Sequence, residues 1–308
     1  MLLVFINISC SDFLDVEDTN PSYTNEGFYT NENAIREGAT GVYSNLYMQV
    51  VGELAHTTIF DFYTGLALER NENTTIGAGG GLNADNSDIL KFWSQLYTNV
   101  ARANAFLTGV RPNMDDLSKK SLQYVSEVRV LRAYYYYLLI ALWGDVPFYT
   151  EHVADVETQQ KIGRLGRMSA VETREYLIKE LSAIVPLMDQ VRSSEVASNR
   201  TGAATGWMLI AKMAMWNKKW DTAIDAISKL EEIYGDLGQY PLEDVMFRNK
   251  NTPESIFEIQ HSYVAGGLNY TSNLASICMP ITRRSGTCEY DGVEIPELGD
   301  KSTCWTPW

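Results

Sequence analysis

The residue types that carry catalysis are present in this sequence without the spacing that would let them act together. His56, His152 and His261 are scattered, with no HExxH zinc-protease pattern and no GxSxG turn to expose a nucleophilic serine. Cys278, Cys288 and Cys304 follow no zinc-ligand spacing. Glycoside hydrolysis needs two carboxylates set across a cleft. Asp115-Asp116, or Glu294 with Glu297, supply the residue type, but nothing in the sequence places them so, and solvated surface charge is the ordinary account. Gly77 and Gly79-Gly80-Gly81 form no phosphate loop, because no strand precedes them and no Lys-Ser/Thr follows. Asn83, Asp85, Ser87 and Asp88 alternate as calcium ligands do. The sixth-position glycine is missing, however, and Ser94 stands where the closing glutamate belongs. No catalytic residue, metal or cofactor is expected.

Binding is the chemistry left open. A formal net charge of −14 repels nucleic-acid phosphates and argues against a basic patch on an anionic membrane. Eighteen Tyr and seven Trp can fill helical cores, and they can also make flat platforms for sugars or peptides. Composition alone does not choose between these uses.

The elements that would position such residues read as helices. Within 126–151, Val128, Leu131, Tyr135, Leu138 and Leu142 recur at helical spacing, and from 133 to 143 the apolar character runs all round, so this helix should pack on several sides. Gly144 ends it and Pro147 keeps it from resuming. Arg132 lies among apolar neighbours, where an unpaired guanidinium is costly; a structural ion pair is the expected answer and a ligand clamp the alternative. Helices are also expected over 32–51 (capped by Asn31 or Asn33), 54–68 and 88–110, with Trp93, Tyr97 and Asn104 on the packed side of the last. Asp61 in the 54–68 helix is open to facing a ligand, to solvation or to pairing with an arginine. The polar stretch 158–167 reads as a solvated turn. Ser169 and Glu172 form a capping box for a further helix. Trp207, Ile210-Ala211, Ala214, Trp220, Ala223, Ile227 and Leu230 fall where a tetratricopeptide unit places its large and small packing residues, with Asn217-Lys218-Lys219 as the turn. Strict alternation over 254–260 reads as a strand. At the other end, apolar residues 1–8 followed by Ser9-Cys10 read as the tail of a lipoprotein signal peptide, although its basic n-region is absent.

Glu127, Arg132-Ala133-Tyr134-Tyr135 and Gly144-Asp145-Val146-Pro147 resemble the signature of the SusD/RagB family, outer-membrane lipoproteins of Bacteroidetes that help import nutrients. Trp93, Tyr97 and Ala103-Asn104, the 253–259 element, and Phe13-Leu14-Asp15 after Cys10 resemble the same family in the same order. The resemblance implies a mostly α fold of tetratricopeptide-like helical repeats with a small β and irregular C-terminal portion. It divides the chain into a signal remnant (1–10), a tether (11–30), the repeat region (31–260) and the start of an incomplete C-terminal region (261–308). It implies lipid attachment at Cys10. It further implies capture of an oligosaccharide, or a peptide, for delivery to a TonB-dependent SusC-like transporter in the outer membrane. A secreted glycan-cleaving enzyme on a helical scaffold is the rival reading.

The family draws its ligand site from loops leaving the repeats. The glycine-rich loop 71–86 stands in a comparable place, with Asn73, Thr74, Asn83 and Asp85 as hydrogen-bonding groups. No residue motif carries this over, and a flexible connector is the equal alternative. An extracytoplasmic location permits disulfides. Cys278 and Cys288 flank a Pro- and Gly-containing segment that could fold back, so they are the expected pair, leaving Cys304 over.

Overall fold

The computed structural model describes residues 28–44, 46, 67–68, 87–111, 117–242, 251–259, 288–290, 293–295 and 306–307. Local chemistry sets the helix ends. In α1 (Glu32–Tyr43), Asn31 Oδ1 accepts the Ala34 N–H at 3.0 Å, meeting one of the amides that an N-terminus leaves unpaired. After α2 (Ser87–Val110), Ser118 Oγ caps α3 (Lys119–Trp143) by accepting the Ser121 N–H at 3.1 Å. Gly144 closes α3 at φ 70°, a left-handed conformation that glycine adopts without penalty. The capping box opens α5 (Ala170–Ile184): Ser169 Oγ accepts the Glu172 N–H at 3.1 Å and the Glu172 carboxylate accepts the Ser169 N–H at 3.4 Å. The last pair, α6 (Ala203–Trp216) and α7 (Trp220–Tyr234), is joined by the short turn through Lys218.

The helices stack in an order that follows the chain: α1 and α2 lie against α3, α3 against α5, α5 against α6 and α6 against α7. The centre is α3. Val128, Leu131, Tyr135 and Leu139 are buried on one side, and Val125, Ala133, Tyr136 and Ile140 on others. Ala211, Ala214 and Ala223 are buried between α6 and α7, where small side chains let two helix backbones approach. Gly206 serves the same end against the turn after α5: a Cβ there would meet Val185 Cγ2 at 2.4 Å and Val130 Cγ2 at 3.4 Å. The strands are short, β1 (Ala67–Leu68) pairing antiparallel with β4 (Thr306–Pro307) and β2 (Cys288–Tyr290) with β3 (Val293–Ile295). The mostly helical, repeat-built fold with a small β portion is the one expected.

Several local expectations are corrected. The 54–68 helix does not reach its proposed end, because Ala67–Leu68 pairs as a strand; the rest of that range, Asp61 included, lies outside the described residues. The polar stretch after residue 155 contains α4 (Val156–Gly163), which buries no residue and begins where the Asp155 carboxylate accepts the Thr158 N–H at 2.7 Å. Residues 254–259 are not a strand. Thr252 and Ser255 form a turn there, and the Ile256 carbonyl is taken by the hydroxyls of Ser193 and Thr205 in place of a neighbouring strand. Trp220 and Ile227, expected in the packing of the repeat, are 58% and 40% exposed, because the face of α7 they occupy has no described helix beyond it. Among the described residues, no helix is long and apolar enough to cross a membrane.

Candidate functional site

The signature residues build a polar knot inside the helical stack. Arg132 Nη1 donates to Asn104 Oδ1 at 2.8 Å, and Nη2 donates to Glu180 Oε1 at 2.5 Å, so α3 is tied to α2 on one side and α5 on the other. Asn104 Nδ2 in turn donates to the Tyr149 carbonyl at 3.2 Å, the backbone contact expected of a packed asparagine. That carbonyl also accepts the Tyr136 hydroxyl, which itself accepts the Tyr149 N–H at 3.0 Å. Tyr97 OH donates to the Pro147 carbonyl at 2.7 Å, and Asp145 Oδ1 accepts the Ala170 N–H at 2.8 Å at the start of α5. The Gly-Asp-Val-Pro segment is thus a strap held by side chains of α2 and α3. Arg132 makes the structural ion pair, and its side chain is 5% exposed.

A second knot joins the end of α1, the middle of α3 and the segment before α6. Glu127 Oε2 accepts Arg200 Nε at 2.7 Å and the Tyr43 hydroxyl at 3.2 Å, and the Arg200 guanidinium lies 4.7 Å from the Tyr43 ring and 5.1 Å from that of Tyr124. Burial raises the Glu127 carboxyl above the usual carboxylate range, outweighing the opposing pull of Arg200 and Tyr43. A raised native pKa means that the folded state holds the proton more tightly than the unfolded chain. This group's contribution to stability is therefore fully present below its unfolded pKa and is lost as pH rises through the raised value. Thermal melting of the protein between about pH 4 and 8 should show that decline, and Glu127→Gln should flatten it. Equal slopes in the two proteins would remove the assignment.

Trp93 packs with the core, as its helical spacing requires. It sits edge-on to Trp143 at 5.2 Å and beside Tyr97 at 4.9 Å, while Tyr97 lies parallel to Tyr149 at 6.2 Å. All four rings are only partly buried, and they line the first turns of α2 and the end of α3. The stretch 71–86 precedes α2 in the sequence, and Trp93 and Tyr97 of this aromatic group lie on that helix. Asn73, Thr74, Asn83 and Asp85 themselves lie outside the described residues, as do Cys10, Cys278 and Cys304. Cys288 opens β2, with its partner strand at Ile295. Asp291-Gly292 between β2 and β3 is the sequence signal for such a hairpin.

An open groove of about 1030 Å³ lies between α6 and α7, floored by Met208, Met215, Ile227, Leu230 and Tyr234. Its apolar floor suits the packing of another element better than the many hydroxyls of a sugar. Sequence reasoning gave this groove no role; on α7 it is lined by Ile227, Leu230 and Tyr234, of which Ile227 is left exposed. Among the described residues, no three His, Cys, Asp or Glu side chains gather as metal ligands would.

Stacked helices, small residues at the crossings and charged knots used for structure define a tetratricopeptide-like helical scaffold. Residues 12–207 match the SusD-like family described as "Starch-binding associating with outer membrane", and the chain belongs to that family. SusD-like protein P25 of Formosa agariphila is 25% identical over 257 residues, covering 78% of this chain and 47% of its own length, so the chain spans about half of that relative. A solved laminarin-binding SusD-like protein is similar with a TM-score of 0.65 at 20% identity, covering 84% of this chain and 59% of that one. Surface glycan-binding protein A of Bacteroides thetaiotaomicron, solved with laminarihexaose, gives 0.62 at 18% identity, covering 88% and 60%. At these identities the solved structures establish the fold.

Proposed function

We propose that this protein is a non-catalytic outer-membrane lipoprotein that captures oligosaccharides and delivers them to a TonB-dependent SusC-like transporter. The observation that carries the reading is the family match over residues 12–207 on a fold whose solved relatives include glycan-binding proteins. The helical stack is a support, and sugar recognition is assigned to the loop 71–86 together with the partly exposed rings of Trp93, Tyr97 and Trp143 on the helices that follow it in the chain. A sugar site needs such a pairing, since C–H faces are buried on aromatics while hydroxyls must be hydrogen-bonded. Asn73, Thr74, Asn83 and Asp85 supply the hydrogen bonds. Calorimetry with laminarihexaose, cellohexaose, xylohexaose and maltohexaose should reveal a bound ligand. Asn83→Ala with Asp85→Ala should weaken it about tenfold while leaving the melting temperature nearly unchanged. Release of new reducing ends from those sugars would favour an enzyme and defeat the reading.

Anchoring is assigned to acylation of Cys10. Each buried CH₂ of an acyl chain contributes about 0.8 kcal/mol, so Cys10→Ala should move the protein from the outer-membrane fraction to the soluble one. Equal partitioning of the two forms would rule the anchor out. The Cys278–Cys288 disulfide is proposed on the same extracytoplasmic placement, and three free thiols among Cys278, Cys288 and Cys304 under non-reducing conditions would remove it.

A further inference from the structure

We infer that a cavity of about 450 Å³ beside the C-terminal end of α1 is a second contact site for a neutral oligosaccharide, separate from the loop 71–86. The inference rests on the glycan-binding reading above. Three stretches distant in sequence meet there: residues 40–44 with Leu46, residues 198–200 and residues 257–259. The volume falls within the range of small-ligand sites. Tyr43 and Phe257 supply aromatic surface, and Thr40, Ser198, Asn199 and Arg200 bring hydroxyl, amide and guanidinium groups around it.

Two features mark this wall as built for contact. Ser198 and Asn199 both adopt left-handed backbone conformations, at φ 59° and 50°, which side-chain-bearing residues seldom take. Such conformations concentrate at binding sites, where the surrounding structure holds them in place. The conformation presents two exposed side chains that make no hydrogen bond among the described residues. The neighbouring guanidinium is fixed in position. Arg200 Nε binds Glu127 and Nη1 donates to Thr40 Oγ1 at 2.9 Å, which holds the guanidinium from two sides. Glu127 already offsets the arginine charge and Glu258 adds a negative one at the cavity, so the site offers no advantage to an anionic sugar. Aromatic surface with neutral donors and acceptors fits an uncharged glycan.

The test uses laminarihexaose, cellohexaose, xylohexaose and maltohexaose as probes of the protein and of its Ser198→Gly/Asn199→Gly variant. Glycine accepts the left-handed conformation without penalty, so the variant removes the two side chains and leaves the backbone free to keep its path. Calorimetry should show an affinity about tenfold weaker for the tightest probe. A diazirine-bearing form of that probe should cross-link to residues 40–46 or 196–200 of the unaltered protein. Affinity within twofold of the unaltered protein, or no cross-link to those residues, overturns the inference. If Asn83→Ala/Asp85→Ala alone weakens binding, the proposed function stands and this second site falls. Binding of none of the four sugars overturns both.

Discussion

Arg132→Ala is expected to lower the unfolding free energy by about 3–5 kcal/mol, the usual consequence of removing one partner of a buried ion pair. The side chains of Arg132 and Glu180 are only 5% and 17% exposed, so water cannot take the arginine's place at Glu180. The substitution also strips Asn104 of its donor and thereby loosens the Tyr149 carbonyl, to which α2 and α3 both reach. Urea denaturation is the measurement. A second variant separates charge from packing: Arg132→Met with Glu180→Leu removes both charges of the pair and should recover part of the loss, the rest remaining because Asn104 keeps no donor and Arg129 loses the Glu180 carboxylate. A loss below about 1 kcal/mol for Arg132→Ala would mean that the knot contributes no more than a surface pair.

Gly206→Ala should also destabilise, against the trend for glycine in a helix. Helix propensity favours alanine by about 0.5–1 kcal/mol. The new Cβ, however, would meet Val185 Cγ2 at 2.4 Å, and Val185 is fully buried and stiff about χ1. Overpacking of this kind costs about 1–3 kcal/mol. The clash wins, with a net loss on the order of 1 kcal/mol and a melting temperature lower by about 2–4 °C. In a double-mutant cycle, Val185→Ala should cost less in the Gly206→Ala background than alone. A more stable Gly206→Ala would show that the α5–α6 junction yields.

The sequence makes the helices legible wherever an apolar stripe and a cap coincide. Ser169 and Asn31 each precede such a stripe, and each forms the cap its position suggests. α4 escapes notice because it buries nothing and so has no stripe to read, only Asp155 at its start. Alternation misleads at 254–259, since a strand also needs a neighbour, and the Ile256 carbonyl finds hydroxyls instead. The need for a carboxylate at Arg132 follows from its apolar setting, but Glu180 stands 48 positions away and only the stacking of α3 on α5 selects it. Glu127 and Arg200, 73 positions apart, are hidden in the same way. The candidate sugar loop has no residue motif at all, because hydroxyl recognition accepts many side chains in many arrangements. The cavity of Tyr43, Asn199 and Phe257 exists only once three remote stretches are assembled.

The link between α3 and α5 has a bearing on how such proteins diversify. Val146 and Met168 exchange both backbone hydrogen bonds, at 3.2 and 2.9 Å, and Asp145 reaches the Ala170 N–H just beyond. The chain from 150 to 167 therefore leaves and re-enters the helical stack through one clasped gate. Doubling the length of a loop closed in this way costs only about 0.6 kcal/mol of chain entropy. Mutation and insertion can rewrite the excursion, α4 included, while the two helices keep their registration. The clasp is thus a place where new sequence can be added without refolding the scaffold.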